Sequence, residues 1–354
     1  MARPLIPVRD DLQLFAGYHS PQVAVDVRLN TNESPYPPPQ GWLAALGEEL
    51  AAIPFHRYPD REAADLRAAL AEFHGVRPDQ VFAANGSNEA LLLLCLAYGG
   101  HGRTAGVFEP TYALHSHIAR VTGTTVAVGH RREDFTLDLA EVDRVLALRP
   151  ELTFLCSPNN PTGRVERRED VEAVLARVPG LLVVDEAYGQ FASWSALDLV
   201  ADDAPVVVVR TYSKTWSMAA ARLGYLLGPA PLVAALEKVA LPYHLDSVKQ
   251  VAGRLALRFR AEMEARVAAL TEERGRLAAA FADLPLETWP SEANFILFRP
   301  TNVPGHEVWK RLLEKSVLVR DCSSWPDLDG CLRVTVGTPE ENDAFLAALT
   351  EVLA

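Results

Sequence analysis

Two patterns alternate along the chain from about residue 61 to 240. Ala- and Leu-rich stretches at 60–74, 88–98 and 165–178 read as helices. Between such stretches lie short apolar runs: TAGVF (104–108), TTVAV (124–128), LTFLC (152–156), LLVVD (181–185), VVVVRT (206–211) and LGYLLG (223–228). Runs of four to six largely β-branched residues, without a polar position at every second place, predict strands buried on both faces. Strands that alternate with helices predict an α/β layer structure, a mostly parallel sheet with helices on both sides.

The rhythm changes after Pro242. Residues 246–284 contain no proline and only Gly253 and Gly275, which predicts one or two long helices. NFILF (294–298) and CLRVTV (331–336) read as strands, with helices over 305–315 and 340–353. The predicted organisation is an N-terminal arm over 1–40 that partly packs on the small domain, a large cofactor-binding domain over 41–245, and a small α+β domain over 246–354. The proline-rich SPYPPPQG (34–41) connects the arm to the large domain.

Composition narrows the function classes. With 354 residues, 49% of them apolar, the chain can bury a large core in one or two domains. Its formal net charge of −12 argues against a general nucleic-acid binder, which needs a basic face. Small anions remain acceptable ligands, because they need only a local cluster of donors. No apolar run approaches the roughly 18 residues of a membrane span, and MARPLIPVRDDLQLF has no signal-like apolar stretch. Cys95, Cys156, Cys322 and Cys331 form no CxxC pair, and Cys95 and Cys156 sit in apolar runs as small hydrophobes. The expectation is a cytoplasmic protein without a disulfide framework.

Four signals fall where ligands of open α/β sheets gather, at the carboxyl ends of strands. In NGSNEALLLL (85–94), Gly86, Ser87 and Asn88 precede a helical run, where free N–H groups and a hydroxyl suit a phosphate; an ordinary N-cap is the bland alternative. SPNNPTG (157–163) follows LTFLC and offers the amides of Asn159 and Asn160, or is simply a Pro/Asn turn. In LLVVDEAY (181–188), Asp185 closes a strand; it can be a metal ligand, a base, the partner of a cationic ring nitrogen, or a helix cap. RTYSKTWSMAAARLGY (210–225) sets Lys214 beside Ser213, with Arg222 farther on, directly after a buried strand. A lysine in that place can bind a phosphate, act as a base or attack a carbonyl.

Together these groups meet the needs of pyridoxal 5'-phosphate: a lysine for its aldehyde, a carboxylate for its ring nitrogen, donors for its phenolic oxygen, and a helix start, hydroxyls and an arginine for its phosphate. His115 and His117 form an HxH pair with no third ligand, so no metal site is expected and both read as solvated helix positions. HRRED (130–134) reads as a solvated turn, and the arginines between 254 and 276 as an exposed helix face.

The chain resembles the fold-type I pyridoxal-phosphate-dependent aminotransferases, and within them the histidinol-phosphate aminotransferase branch. The resemblance runs over nearly the whole chain: LNTNESPY (29–36), HRYPD (56–60), NGSNEALLLL, PTYALH (110–115), SPNNPTG, VVDEAY, TYSKTWSMAAARLGY, ANFILF (293–298), VLVRDCS (317–323) and LRVTVGT (332–338). It implies that Lys214 binds the cofactor covalently and shuttles a proton, that Asp185 pairs with the ring nitrogen, and that Asn160 and Tyr188 bond the phenolic oxygen. Tyr112 would stack on the ring. Gly86, Ser87, Asn88, Ser213 and Arg222 would hold the phosphate, joined by Tyr58 from the other subunit of a homodimer. Substrate would meet Asn32, Arg333, Arg320 and Tyr18. Where the family usually shows Tyr-x-Pro-Gly, this chain reads GYHSPQ (17–22).

The implied reaction is transamination between L-histidinol phosphate and 2-oxoglutarate, giving imidazole-acetol phosphate and glutamate in histidine biosynthesis. An aromatic amino acid aminotransferase of the same fold is the alternative. A decarboxylase of a phosphorylated amino acid would share the cofactor but break a different bond. A cofactor-sensing regulator would need a DNA-binding module, for which there is no room before residue 30. Nucleic acid and membrane are not expected partners.

Overall fold

A computed structural model describes residues 22–354, together with Ile6, Arg9 and Leu12. Tyr18 lies outside the described residues.

Strands β1 (Val27–Arg28), β2 (Val81–Ala84), β3 (Thr104–Glu109), β4 (Thr125–His130), β5 (Leu152–Cys156), β6 (Leu181–Asp185), β7 (Val206–Thr211) and β8 (Gly224–Leu227) are followed by β9 (Leu286–Thr288), β10 (Phe295–Pro300), β11 (Val317–Leu318), β12 (Arg320–Asp321) and β13 (Leu332–Thr335). Among the described residues, seven of them form one sheet in the order β2-β8-β7-β6-β5-β3-β4. β4, β3, β5, β6 and β7 run parallel, while β8 is antiparallel to both of its neighbours. The mostly parallel sheet read from the apolar runs is therefore present, with one reversed strand and β2 added at the edge; the short VFAA of β2 carried too little pattern to mark it.

The strands are buried on both faces because helices cover both. One face packs with the helix Ser87–Tyr98 around Leu91, Leu94, Phe154, Val183 and Val209. The other packs with the helices Leu139–Leu146 and Arg168–Leu175 around Val142, Val171, Val184 and Val208. Burial at about 25 cal/mol per Å2 of apolar surface makes these two layers the main stabilising term of this part of the chain.

A second sheet has the order β12-β13-β10-β9 and is antiparallel throughout. It packs on the helices Arg260–Phe281, Gly305–Glu314 and Pro339–Leu353 around Phe281, Phe298, Leu312 and Phe345. The stretch predicted as one or two helices is two, Ser247–Ala256 and Arg260–Phe281, separated by a single tight turn. The last helix begins with a reciprocal cap in which Thr338 and Glu341 each satisfy the other's backbone N–H. β1 pairs in parallel with β11, so the segment after residue 26 is tied to this second layer.

Two expectations fail here. Arg131, read as part of a solvated turn, is buried and forms an ion pair with buried Glu166 at 2.6 Å. The other four residues of HRRED are exposed. His115 is also buried rather than solvated. In both places the polar letter hid an inward-facing position that a buried partner compensates.

Candidate active site

The carboxyl ends of β5, β6 and β7 open into a cavity of about 210 Å3 between the two layers. Its walls include Ser87, Asn88, Tyr112, Asn160, Asp185, Tyr188, Ser213, Lys214 and Arg222, with Asn32 from the segment after β1 and Arg333 from β13 of the small sheet. Residues spread over more than 300 positions of sequence thus converge on one space.

Asp185 ends β6 and is buried. Its Oδ1 accepts from the Ala187 N–H at 3.1 Å, and its Oδ2 lies 3.0 Å from Nε2 of His115. A carboxylate can only accept, so Nε2 carries the hydrogen in this contact. The imidazole is held from the side by Phe154, stacked at 5.0 Å between ring centroids, and edge-on by Tyr112 at 5.4 Å. His115, expected in solvent, is the buried partner of Asp185. Its signal was its spacing of three from Tyr112 in PTYALH, which puts both side chains on one face of a helical turn.

Glu186, next in the chain, points the other way. It is paired with Arg210 at 2.7 Å and accepts from Ser195 and the Ala196 N–H. That acid is used up inside the protein, and the cavity receives only Asp185.

Lys214 stands three residues after the end of β7, is half-buried and lines the cavity. Its Nζ donates to the Thr31 carbonyl at 3.1 Å and stands 5.5 Å from the centre of the Tyr188 ring. Loss of hydration lowers its pKa to about 7, and the positive charges of Arg333 and Arg222 act in the same direction against Glu33 and Asp185. A neutral amine at ordinary pH is a nucleophile and a proton carrier. Burial pushes the Tyr188 phenol upward, so it remains a donor; its oxygen accepts from Nδ2 of Asn32 at 2.9 Å.

The anion end of the cavity is built from backbone. Gly86 caps the helix Ser87–Tyr98 with φ near 78°, and a Cβ there would come within 3.2 Å of the Arg222 guanidinium. Gly224 lets β8 pass under the helix start, since a Cβ would stand 2.3 Å from the Ser87 nitrogen. Arg222 donates to Oγ of Ser213 at 3.3 Å. Tyr112 donates to Oδ1 of Asn88 at 3.2 Å.

The two asparagines of SPNNPTG part company. Asn159 is a fully buried brace that bonds Thr111, Thr162 and the Pro110 carbonyl. Asn160 faces the cavity, and its Oδ1 accepts from Arg333. Arg333 also donates to the Asn30 carbonyl at 2.9 Å, while its buried Nε finds no partner among the described residues.

Among the described residues, three predicted site residues do not line this cavity: Gly86, which caps the helix behind Ser87, and Tyr58 and Arg320. Tyr58 is 79% exposed and stacks on Tyr243 with ring centroids 4.5 Å apart. Arg320 pairs with Arg333 across β12 and β13, and its guanidinium lies 5.1 Å from the centre of the Trp325 ring, which does line the cavity.

A lysine whose pKa burial lowers to about 7, a fixed carboxylate, a helix start with hydroxyls and arginine, and a buried guanidinium with an open donor fit pyridoxal phosphate and an anionic substrate. Among the described residues no group of three metal-ligating side chains occurs.

The family model for class I and II aminotransferases matches residues 24–349. A curated histidinol-phosphate aminotransferase of Frankia casuarinae is 46% identical, with 98% of this chain and 90% of that one covered. One of Mycobacterium marinum is 44% identical, with 99% and 93% covered. The crystal structure of histidinol-phosphate aminotransferase from Sinorhizobium meliloti in complex with pyridoxal-5'-phosphate superposes with a TM-score of 0.84 at 24% identity, covering 93% of this chain and 91% of that one.

Proposed function

Because this chain belongs to the class I and II aminotransferase family, we propose that it transfers the amino group of L-histidinol phosphate to 2-oxoglutarate with pyridoxal 5'-phosphate as cofactor, a step of histidine biosynthesis. The observation that carries the reading is the convergence of Lys214, Asp185 and Arg333 on one cavity, where burial lowers the lysine's pKa to about 7. The similarity to histidinol-phosphate aminotransferases over almost the whole chain selects the substrate.

When bound, pyridoxal phosphate supplies an aldehyde and a ring that accepts electrons. Lys214 would hold that aldehyde and, once the donor's amino group has displaced it, its freed amine would remove and return a proton at the substrate carbon. Asp185, fixed by His115 and the Ala187 N–H, keeps a proton on the ring nitrogen. Asn160 has its carbonyl committed to Arg333, which leaves its amide N–H groups for the phenolic oxygen beside the Tyr188 hydroxyl. Ser87, Asn88, Ser213, Arg222 and the N–H groups after Gly86 hold the phosphate. Tyr112 covers the ring. Asn32 orients Tyr188 and borders the substrate, and Arg333 takes the substrate's anion.

The reading extends to assembly and place. Phe55, Tyr58, Leu241 and Tyr243 are exposed apolar groups, which suits a homodimer in which Tyr58 reaches the neighbour's phosphate site. No helix among the described residues is long and apolar enough to cross a membrane, and the four buried free cysteines fit the reducing cytoplasm. Residues 41–245 act as the cofactor domain and 246–354 as the small domain, with 1–40 as an N-terminal arm that packs in part on the small domain, a reading supported by the β1–β11 pairing.

The test compares initial rates with L-histidinol phosphate and L-phenylalanine as donors to 2-oxoglutarate. A clear preference for the phosphorylated donor is expected; faster turnover of phenylalanine would move the assignment to the aromatic amino acid aminotransferases.

A further inference from the structure

The segment between β12 and β13 is a short loop that carries Trp325 from the small sheet to the cavity wall. It is built to hold that position. The Trp325 backbone N–H donates to the Cys322 carbonyl at 2.9 Å, and that of Cys331 to the Leu328 carbonyl at 3.0 Å, so the loop is closed by its own backbone. Leu328, Cys322 and Cys331 are fully buried and pack with Leu297 and Phe135, and Phe135 belongs to the large layer. Outside, Asp327 pairs with His130 at the end of β4 at 3.0 Å. The loop is thereby tied to both halves of the molecule, and the partly buried indole packs against the same cluster.

The Arg320 guanidinium lies over that indole, 5.1 Å from the ring centre. A guanidinium over a ring face is attracted by the ring's electron-rich face, the more so where water is excluded. Arg320 sits on a two-residue strand, so its backbone alone does little to aim a long side chain. Arg333, directly opposite, faces the cavity. Trp325 both touches Arg320 and borders the cavity, so it links the second arginine to the site.

We propose that Trp325 is a positioning residue for substrate choice: its indole is the platform that aims Arg320 at a phosphorylated amino donor beside Arg333. The inference rests on the proposed substrate. A dianionic phosphate gains from two guanidiniums, whereas a single carboxylate is satisfied by Arg333 alone. Trp325 therefore sets discrimination between donors more than the rate of the chemical step.

The test uses the pyridoxal-phosphate-loaded enzyme and the variants Trp325→Ala, Trp325→Phe, Arg320→Ala and the Trp325→Ala/Arg320→Ala pair. KM and kcat are measured for L-histidinol phosphate and for L-phenylalanine, whose only anionic group is one carboxylate, and inorganic phosphate is titrated as an inhibitor of the glutamate half-reaction. Trp325→Ala should raise KM for histidinol phosphate and the inhibition constant of phosphate about tenfold, with a smaller change for phenylalanine and in kcat. Trp325→Phe should recover most of the loss, because it keeps a ring face. In the double variant the two losses should not add, since both remove one contact. Equal losses for both donors, additive losses in the double variant, or tighter phosphate binding by Trp325→Ala would overturn the proposal; the last would mean that the indole screens Arg320 instead of aiming it. If histidinol phosphate is not a donor at all, the proposed function fails, and the phosphate titration still decides the role of Trp325.

Discussion

Nε2 of His115 stands 3.0 Å from Oδ2 of Asp185, and neither side chain reaches solvent. The pair joins the helix Leu114–Val121 to the end of β6 and gives the carboxylate one orientation. Because Phe154 and Tyr112 fix the imidazole in turn, the acid is aimed by packing before any ligand arrives.

Asp185→Asn should therefore retain cofactor but lose at least roughly a hundredfold in kcat, since an amide cannot hold the ring nitrogen protonated. His115→Ala should lose less, about tenfold, because the acid remains but its orientation relaxes. Steady-state rates with cofactor content measured in the same samples check both. Near-normal turnover of Asp185→Asn would remove it from the mechanism.

Lys214 gives a pH dependence with a definite sign. Its pKa falls from 10.5 to about 7 in the folded chain. Below about 7 both folded and unfolded chains carry the proton, and the folded one bears the full cost of a buried charge. Between about 7 and 10.5 the unfolded chain binds a proton that the folded chain does not, so stability rises with pH. Lys214→Met should thus stabilise the cofactor-free protein most at low pH, with the difference in Tm shrinking as pH climbs toward 10.5. The cofactor-free parent should also bind pyridoxal phosphate covalently faster as pH rises through about 7, then level off. Lys214→Ala should give no borohydride-reducible adduct.

Much of this arrangement was readable in the chain. VVVVRT and LLVVD announced β7 and β6 because parallel strands buried on both faces have no polar alternation to disguise them. Lys214 and Asp185 stood out because a charged residue directly after such a strand has to be at the sheet's carboxyl edge. His115 did not stand out. Helical spacing says which face a residue shares, not whether that face turns inward, and the partner that makes burial tolerable is 70 residues away. Arg131 was hidden by the same limit, with Glu166 as its distant partner. Trp325 lay in a loop without periodicity, and only the tertiary structure brings it to the cavity.

Tyr58 presents an exposed ring stacked on Tyr243, outside its own chain's cavity. If it serves the neighbour's site, mixing inactive Tyr58→Ala and Lys214→Ala chains should restore activity. A heterodimer would contain one site with both defects and one with neither. Subunit exchange is verified by tagged pull-down. Exchange without recovered activity would place Tyr58 within its own subunit's function or outside catalysis.

Arg333 and Arg320 face each other across β13 and β12, yet only Arg333 borders the cavity. Arg333 already spends two donors on Asn160 and the Asn30 carbonyl, and keeps Nε without a partner among the described residues. Its removal strips a charge from every anionic substrate and also releases Asn160. Arg333→Ala should therefore weaken glutamate, phenylalanine and histidinol phosphate alike, and lower kcat as well. Arg333→Lys should recover little, because one ammonium cannot keep both existing bonds and still meet a planar anion. Arg320→Ala should act on one donor only. Loss of a charge-assisted contact costs about 1.5–3 kcal/mol, roughly ten- to a hundredfold in affinity, and that loss should fall on KM for histidinol phosphate while phenylalanine is little changed. The measurement is the ratio of kcat/KM for the two donors in each variant. The ratio should hold steady in Arg333→Ala and collapse in Arg320→Ala. A steady ratio in both would make Arg320 a structural partner of Trp325 and leave phosphate recognition to Arg333 alone.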